Sequence, residues 1–265
     1  MPLNIIVTAK QVIDPETPPA NLRLNPQLKR METPPTIPPV INGFDENAME
    51  AALRLKDAHG GKVSVLSAGK GFTLDVMKKA LSMGCDELIL LQDEGFESLD
   101  PWAIVQVLAT GVRKLGGFDL ILCGRQASDY DQALVPLGLA ELLHLPCVTL
   151  AKKVEVKDGR LRVERVLPDG TEVVEGTLPA LVTVSNELGQ PRYPTLKGIM
   201  AAARKQPQVW RLADLNLDPS LLRPKVETVE LVVPVREKKC EFIEGKDEEE
   251  KGRNLALRLR EAKLI

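Results

Sequence analysis

The sequence predicts an α/β protein: an open, mostly parallel sheet with helices on both faces, followed by a small β meander and a C-terminal arm. Through the first 150 residues, short β-rich runs alternate with longer stripes of apolar residues at helical spacing. Two Asp-Gly pairs then punctuate shorter β runs between about 152 and 175. From residue 206 onward, prolines and dense charge replace the apolar patterning.

Residues 3–7 are apolar and strand-like. Ala48, Ala51, Ala52 and Leu55 share one helical face, and Gly60-Gly61 stops that helix. Val63-Ser64-Val65-Leu66 reads as the second strand. Val76, Met77, Ala80, Leu81 and Met83 make the next helical stripe, closed by Gly84. Residues 88–91 are the third strand. Asp100-Pro101 is a helix start, with an N-cap acceptor followed by proline at the first helical position. That helix runs through Ile104, Val107 and Leu108 to Gly116-Gly117. Residues 118–123 are the fourth strand and 134–143 another helix. Alternation of this kind builds right-handed βαβ units on a parallel sheet.

Residues 152–156, 161–166 and 171–174 are joined by Asp158-Gly159 and Asp169-Gly170, pairs that suit the positive φ angles of tight hairpins. Ala180-Leu181-Val182-Thr183-Val184 returns to a buried strand, and 199–204 is helical. The expected organisation is an α/β domain over 1–205, with the meander inside it, and an arm over 206–265. Asp218-Pro219, Arg223-Pro224 and Pro234 interrupt the arm, 246–253 is densely charged, and Leu255 and Leu259 suggest a last short helix. A segment so poor in core residues either stays solvated or gains its order by wrapping a partner.

The chain has 265 residues, enough to bury a sizeable core. Its formal net charge is −2 with acids and bases interspersed, so no clustered basic surface for nucleic acid is expected. Aromatics make up 3 %, too few for a base-stacking platform. Cys85, Cys123, Cys147 and Cys240 are widely spaced, which argues against a zinc site, an iron–sulfur cluster or a disulfide framework. Reduced thiols and a cytoplasmic or equivalent compartment are expected. The N-terminus reads as a buried strand rather than a signal peptide, and no apolar stretch is long enough to span a bilayer.

Ligands of open parallel sheets bind at the carboxyl ends of the strands, where crossovers diverge. The segments there are Thr8-Ala9-Lys10, Asn42-Gly43-Phe44-Asp45, Ser67-Ala68-Gly69-Lys70-Gly71, and the run from Cys123-Gly124-Arg125 through Asp131. Small residues let backbone N–H groups approach a phosphate at a helix N-terminus, although tight βα turns have the same composition without any ligand. No Gly-x-Gly-x-x-Gly follows the first strand, no Walker-type phosphate loop occurs, and 67–69 lacks the Ser-Gly-Gly-x-Asp-Ser run of ATP pyrophosphatases. His59 and His144 have no partners at catalytic or metal spacing.

The most specific segment is the strand 180–184, followed by Ser185-Asn186-Glu187-Leu188-Gly189-Gln190-Pro191-Arg192-Tyr193-Pro194-Thr195-Leu196-Lys197-Gly198-Ile199-Met200. It closely resembles the signature of electron-transfer flavoprotein beta subunits: a buried strand, Pro-Arg-Tyr-x-x-Leu, then an Ile-Met helix. The resemblance continues, in the same order, through Val7-Thr8-Ala9-Lys10-Gln11-Val12-Ile13-Asp14, Asn42-Gly43-Phe44-Asp45, Ala52-Leu53-Arg54-Leu55-Lys56, Ala80-Leu81-Ser82-Met83-Gly84-Cys85-Asp86 and Cys123-Gly124-Arg125-Gln126-Ala127. The arm after residue 206 is similar only in general character.

What the resemblance implies is specific. The fold is of the adenine-nucleotide-binding type. Such a subunit pairs with an alpha subunit that holds the redox FAD, and itself binds AMP or, in flavin-bifurcating members, a second FAD. Carried over position by position, adenine and ribose meet Thr8, Ala9, Asn42, Gly43, Phe44, Asp45 and Ala68. The phosphate meets Arg125, Gln126, Ala127, Ser128, Asp129, Asp131 and the helix start after them. Leu196 is implied as the apolar anchor of a loop that docks acyl-CoA dehydrogenase-type donors, with Tyr193, Ile199 and Met200 beside it. Electrons would pass through FAD to a quinone oxidoreductase-type acceptor and the respiratory chain. The arm would contact the alpha subunit. No residue of the chain is implied in catalysis, no metal is bound, and neither nucleic acid nor membrane insertion is involved. Where the family continues with Gln-Val/Thr-Gly at the phosphate-binding helix, this chain has Leu134-Val135-Pro136. Proline removes a backbone N–H donor there. That departure keeps open a beta subunit that has lost its nucleotide and is purely structural. A stand-alone nucleotide-binding or nucleotide-hydrolysing enzyme of the same fold class is a further alternative. It would need a phosphate loop and catalytic acids that are not in the sequence.

Overall fold

The computed structural model describes residues 1–234 and 240–265. The first strand, β1 (Leu3–Thr8), leads into β2 (Gln11–Val12), a polar hairpin of β3 (Arg23–Asn25) and β4 (Arg30–Glu32), and β5 (Val40–Ile41), which pairs back on β2. The α/β alternation follows: α1 (Gly43–His59), β6 (Gly61–Gly69), the short helices α2 (Leu74–Met77) and α3 (Lys79–Met83), then β7 (Glu87–Gln92), α4 (Pro101–Leu115), β8 (Leu120–Gly124) and α5 (Leu134–Leu143). Asp100 caps α4 as expected, its Oδ1 accepting from the Ala103 amide at 2.8 Å.

The meander is β9 (Cys147–Lys157), β10 (Arg160–Leu167) and β11 (Gly170–Thr177), and β12 (Ala180–Val184) re-enters the core. After it come α6 (Leu196–Arg204), β13 (Gln208–Trp210) and α7 (Leu212–Leu215). The main sheet runs β11-β10-β9-β12-β8-β1-β6-β7-β13. From β9 to β13 every neighbouring pair is parallel, and β9–β10–β11 is antiparallel. The meander therefore extends the same sheet. β9 serves both parts, pairing with β12 near its start and β10 farther on, with register shifts in both ladders and Leu150 in the left-handed region. Such irregularities let a strand bend from one partner to the next.

Strands covered on both faces read as continuous apolar runs. Alternate residues divide between two cores. Leu3, Ile5, Val7, Val63 and Val65 face α1 and α3. Ile6, Leu66, Ile89, Leu91 and Ile121 face α4 and α5. Helices on both faces thus follow directly from the side-chain alternation.

Two compact units are distinguished, Met1–Glu230 and Leu231–Ile265. Residues 206–230 belong with the first unit. There β13 adds to the sheet edge, and the Lys225 and Val226 amides donate to Asp100 Oδ2 at 2.5 and 3.0 Å. The second unit carries α8 (Glu248–Glu261), capped by Asp247, whose Oδ1 accepts from the Glu250 amide at 2.8 Å. Among the described residues no helix is long and apolar enough to cross a membrane.

Candidate functional site

From β1 the chain moves to β6 and β7 on one side, then returns to place β8 on the other side of β1. The crossovers diverge there, so a crevice is expected beyond the carboxyl ends of β1 and β8. Three of the segments singled out from sequence meet at this point: 8–10 after β1, 42–45 at the start of α1, and 124–131 after β8.

Asp45 joins them. It is buried, and its Oδ2 accepts from the Lys10 amide at 2.8 Å while its Oδ1 accepts from the Gly124 amide at 3.0 Å. One carboxyl thus staples the ends of the two diverging strands to the first turn of α1. Burial pushes its pKa up to about 7, against the pull of the two amides, Asn42 and the Lys10 charge. Gly124 is required by this closeness: a Cβ there would lie 2.3 Å from Asp45 Oδ1 and 2.8 Å from the Phe44 Cβ.

Asn42, also buried, organises the next loop. Its Nδ2 donates to the Gln126 carbonyl at 2.8 Å and its Oδ1 accepts from the Ser128 amide at 3.2 Å. Gln126 Nε2 donates to Asp131 Oδ1 at 2.7 Å. The loop ends with Asp131 and Ala133 in left-handed conformation, and Ala133 caps α5 without a side-chain hydrogen bond. The first-turn amides of that helix are therefore uncapped, less the one that Pro136 lacks. Arg125 lies over the Phe44 ring at 5.4 Å from its centroid and donates to Ser185 Oγ at 3.4 Å. Lys10 contributes a second cation and pairs with Asp129 at 2.5 Å.

The hydroxyls of Ser128 and Ser67 are buried without a hydrogen-bond partner. Buried polar groups are ordinarily satisfied, and an unpaired one points to a missing partner. Ser128 lies in the loop that Asn42 holds, and Ser67 near the end of β6, the strand beside β1. Two cations, loop amides, an uncapped helix start and waiting hydroxyls match the donor set that a phosphorylated nucleotide requires. The residues present fit such a ligand.

Thr8 ends β1 beside this crevice and Ala9 follows it, and Gly43 and Phe44 open α1. Ala68 lies one strand over, its backbone paired with Leu91 of β7. Lys70, after β6, is engaged by Glu97 at 2.9 Å and Glu94 at 3.3 Å, among the residues that follow β7. Lys10 and Ser67 stand in strand-end segments marked from sequence, but the resemblance gave neither of them a ligand contact. Burial pushes the Cys123 thiol, at the end of β8, up to about 12, although a hydrogen bond with Thr8 works against the rise, so it is no nucleophile.

Tyr193, Leu196, Ile199 and Met200 form a separate surface. Leu196 is the first residue of α6 and is nonetheless 75 % exposed; Tyr193 is 89 % exposed, and Ile199 and Met200 about half. Inward, α6 presents Gly198 and Ala202. A Cβ on Gly198 would sit 2.4 Å from the Ser82 carbonyl, so the helix lies directly on α3. Among the described residues no group of His, Cys, Asp and Glu forms a metal site.

The chain matches the electron transfer flavoprotein domain over residues 37–215. It is 37 % identical over 267 residues to the electron transfer flavoprotein subunit beta of Thermoanaerobacterium thermosaccharolyticum, covering 99 % of this chain and 100 % of the relative. To the subunit beta of Bacillus subtilis it is 36 % identical, over 85 % of this chain and 88 % of the relative. To the caffeyl-CoA reductase-Etf complex subunit CarD of Acetobacterium woodii it is 37 % identical, over 82 % and 81 %. A domain match across most of the chain and relatives of this identity along nearly its whole length give one result: the chain belongs to the electron transfer flavoprotein family, as a beta subunit.

Proposed function

We propose that this chain works as one half of a heterodimeric electron carrier. It pairs with an alpha subunit that carries the redox FAD. In its own crevice it holds an adenine nucleotide, with Asn42, Asp45 and Thr8 around the nucleoside and Arg125, Ser128 and the start of α5 around the phosphate. The surface of Tyr193, Leu196, Ile199 and Met200 receives donors of the acyl-CoA dehydrogenase type, and a quinone oxidoreductase-type acceptor takes the electrons toward the respiratory chain. The flavin supplies the redox chemistry; this chain positions, shields and docks. The arm extends the contact with the alpha subunit.

The observation that carries the nucleotide reading is the unpartnered Ser128 hydroxyl in the loop that Asn42 and Asp45 hold beside Arg125. AMP satisfies that donor set. The likeness to a subunit named for a caffeyl-CoA reductase-Etf complex favours a second reading, in which a second FAD places its own AMP moiety there. Co-expression with the alpha subunit tests the partnership. Alone, the chain is expected to purify colourless; with the alpha subunit it should yield a yellow complex in a one-to-one ratio. A yellow, redox-active preparation of this chain by itself would sink the reading.

A further inference from the structure

One face of α1 carries a polar stripe beside the face that joins the core. Ala48, Ala51, Ala52 and Leu55 are buried in the apolar cluster. Asn47, Glu50, Arg54 and Asp57 follow one another at spacings of three, four and three, so they form a stripe along one side. All four are committed to a single distant segment. Asn47 Nδ2 donates to the Gly189 carbonyl at 2.7 Å, and Arg54 Nη1 to the Leu188 carbonyl at 3.3 Å. Glu50 Oε2 accepts from the Arg192 amide at 3.1 Å and from Arg192 Nε at 2.8 Å. Arg192 Nη2 reaches Asp57 Oδ2 at 2.9 Å.

Glu50 is the centre of the arrangement. Its side chain is 6 % exposed, and a carboxylate so placed loses its water and must be repaid by donors. Arg54 supplies one at 2.7 Å from within the helix; the others come from Arg192, by backbone and side chain together. A carboxylate needed only for local helix pairing would sit at the surface with Arg54, as such pairs ordinarily do. Here the burial is spent on a segment 142 positions away in sequence. Arg192 lies directly before Tyr193, and α6 is seated on α3 through Gly198. The stretch carrying Tyr193 and Leu196 is thus fixed at both ends, between a charged latch and a glycine contact.

We propose that Glu50 is a positioning residue for partner docking: through Arg192 it latches residues 188–192 onto α1 and presets the Tyr193–Leu196 surface before any partner arrives. This rests on the reading of that surface as the docking face. A preset face spares the association the cost of ordering a loop. An exposed apolar surface that is not preset would fold against each partner at a cost to affinity.

The test uses the co-purified heterodimer, with an acyl-CoA dehydrogenase reduced by its substrate as the electron donor. Arg192→Gln keeps the apolar stem and removes the charged fork. Hydrogen exchange of the amides in 189–196 should accelerate, and KM for the donor should rise roughly five- to tenfold with kcat and flavin content unchanged. Arg192→Lys should restore part of both losses, and Glu50→Gln should add little to Arg192→Gln. Unchanged exchange in 189–196 overturns the latch whatever the kinetics. Faster exchange with unaltered KM overturns the positioning role, and Leu196→Ala then separates the causes. If Leu196→Ala raises KM, the docking face stands and only the inference about Glu50 fails. If it too leaves KM unchanged, the docking reading itself is wrong.

Discussion

Around Asp45 polar atoms are buried and the apolar side chains lie beneath them; on α6 the apolar side chains are out and the buried contacts are made by Gly198 and Ala202. The crevice is assembled from the ends of β1 and β8 and the start of α1, and its geometry follows from the crossover pattern of the sheet. The α6 surface owes nothing to that pattern. It is a short helix and a proline-bounded loop held on the outside by Thr195, Gly198 and the Glu50–Arg192 pair. The first region is a consequence of the fold, whereas the second is attached to it. Substitutions at the buried staples of the first should therefore disturb stability and ligand together, and substitutions at the exposed side chains of the second should disturb recognition alone.

The contrast is sharpest at Gly124 and Leu196. Gly124→Ala places a methyl group against Asp45 and Phe44, with no flexible end to yield. Overpacking of this kind costs about 1–3 kcal/mol or more. At roughly 2–4 °C per kcal/mol for a domain of this size, the melting temperature should fall by about 2–12 °C and bound nucleotide should be lost. Leu196→Ala removes an exposed side chain and should leave the melting temperature within about 1 °C. Equal falls in the two variants would erase the distinction between the regions.

A smaller effect separates the two buried carboxyls. Asp45 titrates at about 7 in the folded chain, up from the ordinary 3.8, so between those values the folded state holds a proton that the unfolded state has released. Stability from this group therefore declines as pH rises through that window. Asp45→Asn should flatten the decline between about pH 4 and 7, measured by urea unfolding. Glu50 behaves oppositely. Burial works against its charge, but Arg192 and Arg54 outweigh it and hold its pKa below the usual carboxylate range. Its contribution is present at neutral pH and is lost only as pH falls below that range. An unaltered slope in Asp45→Asn would mean that the staple is not the titrating group.

Much of the fold was legible because local signals and burial agree. Asp100-Pro101 marks the start of α4, and Asp158-Gly159 marks a turn that the structure keeps with both residues at positive φ; the second turn falls one residue earlier than expected, at Pro168 and Asp169, and Gly170 already pairs with Leu167 as the start of β11. The hairpin of β3 and β4 was not legible, since each strand is three residues long with a single half-buried apolar residue, Leu24 or Met31, too short to show a period. Nor was β13, three residues whose place on the sheet edge is set by β7. In the crevice, the Asn42 to Asp45 and Arg125 to Asp131 segments were marked by resemblance, but the Asp45 staple was not. A carboxyl that bonds two backbone amides from different strands leaves no sequence pattern. The same holds for Glu50 and Arg192, whose pairing exists only once α1 and the segment after β12 have packed. Leu196 illustrates how one residue can satisfy two readings: it begins a helix, yet it faces outward.

In the assembled carrier, the β1/β8 crevice is proposed to hold an adenine nucleotide. Mass spectrometry of ligands released from the co-purified heterodimer, with flavin counted per dimer, tests it most directly. One AMP is expected beside one FAD, or a second FAD in its place. In Arg125→Ala, loss of a charge-assisted contact of about 1.5–3 kcal/mol should weaken the nucleotide assigned to this chain by about ten- to hundredfold and lower its content, with the partner's flavin and the folded core retained. A wild-type heterodimer that releases only the partner's single FAD, or an Arg125→Ala complex with its full complement of nucleotide, would contradict it.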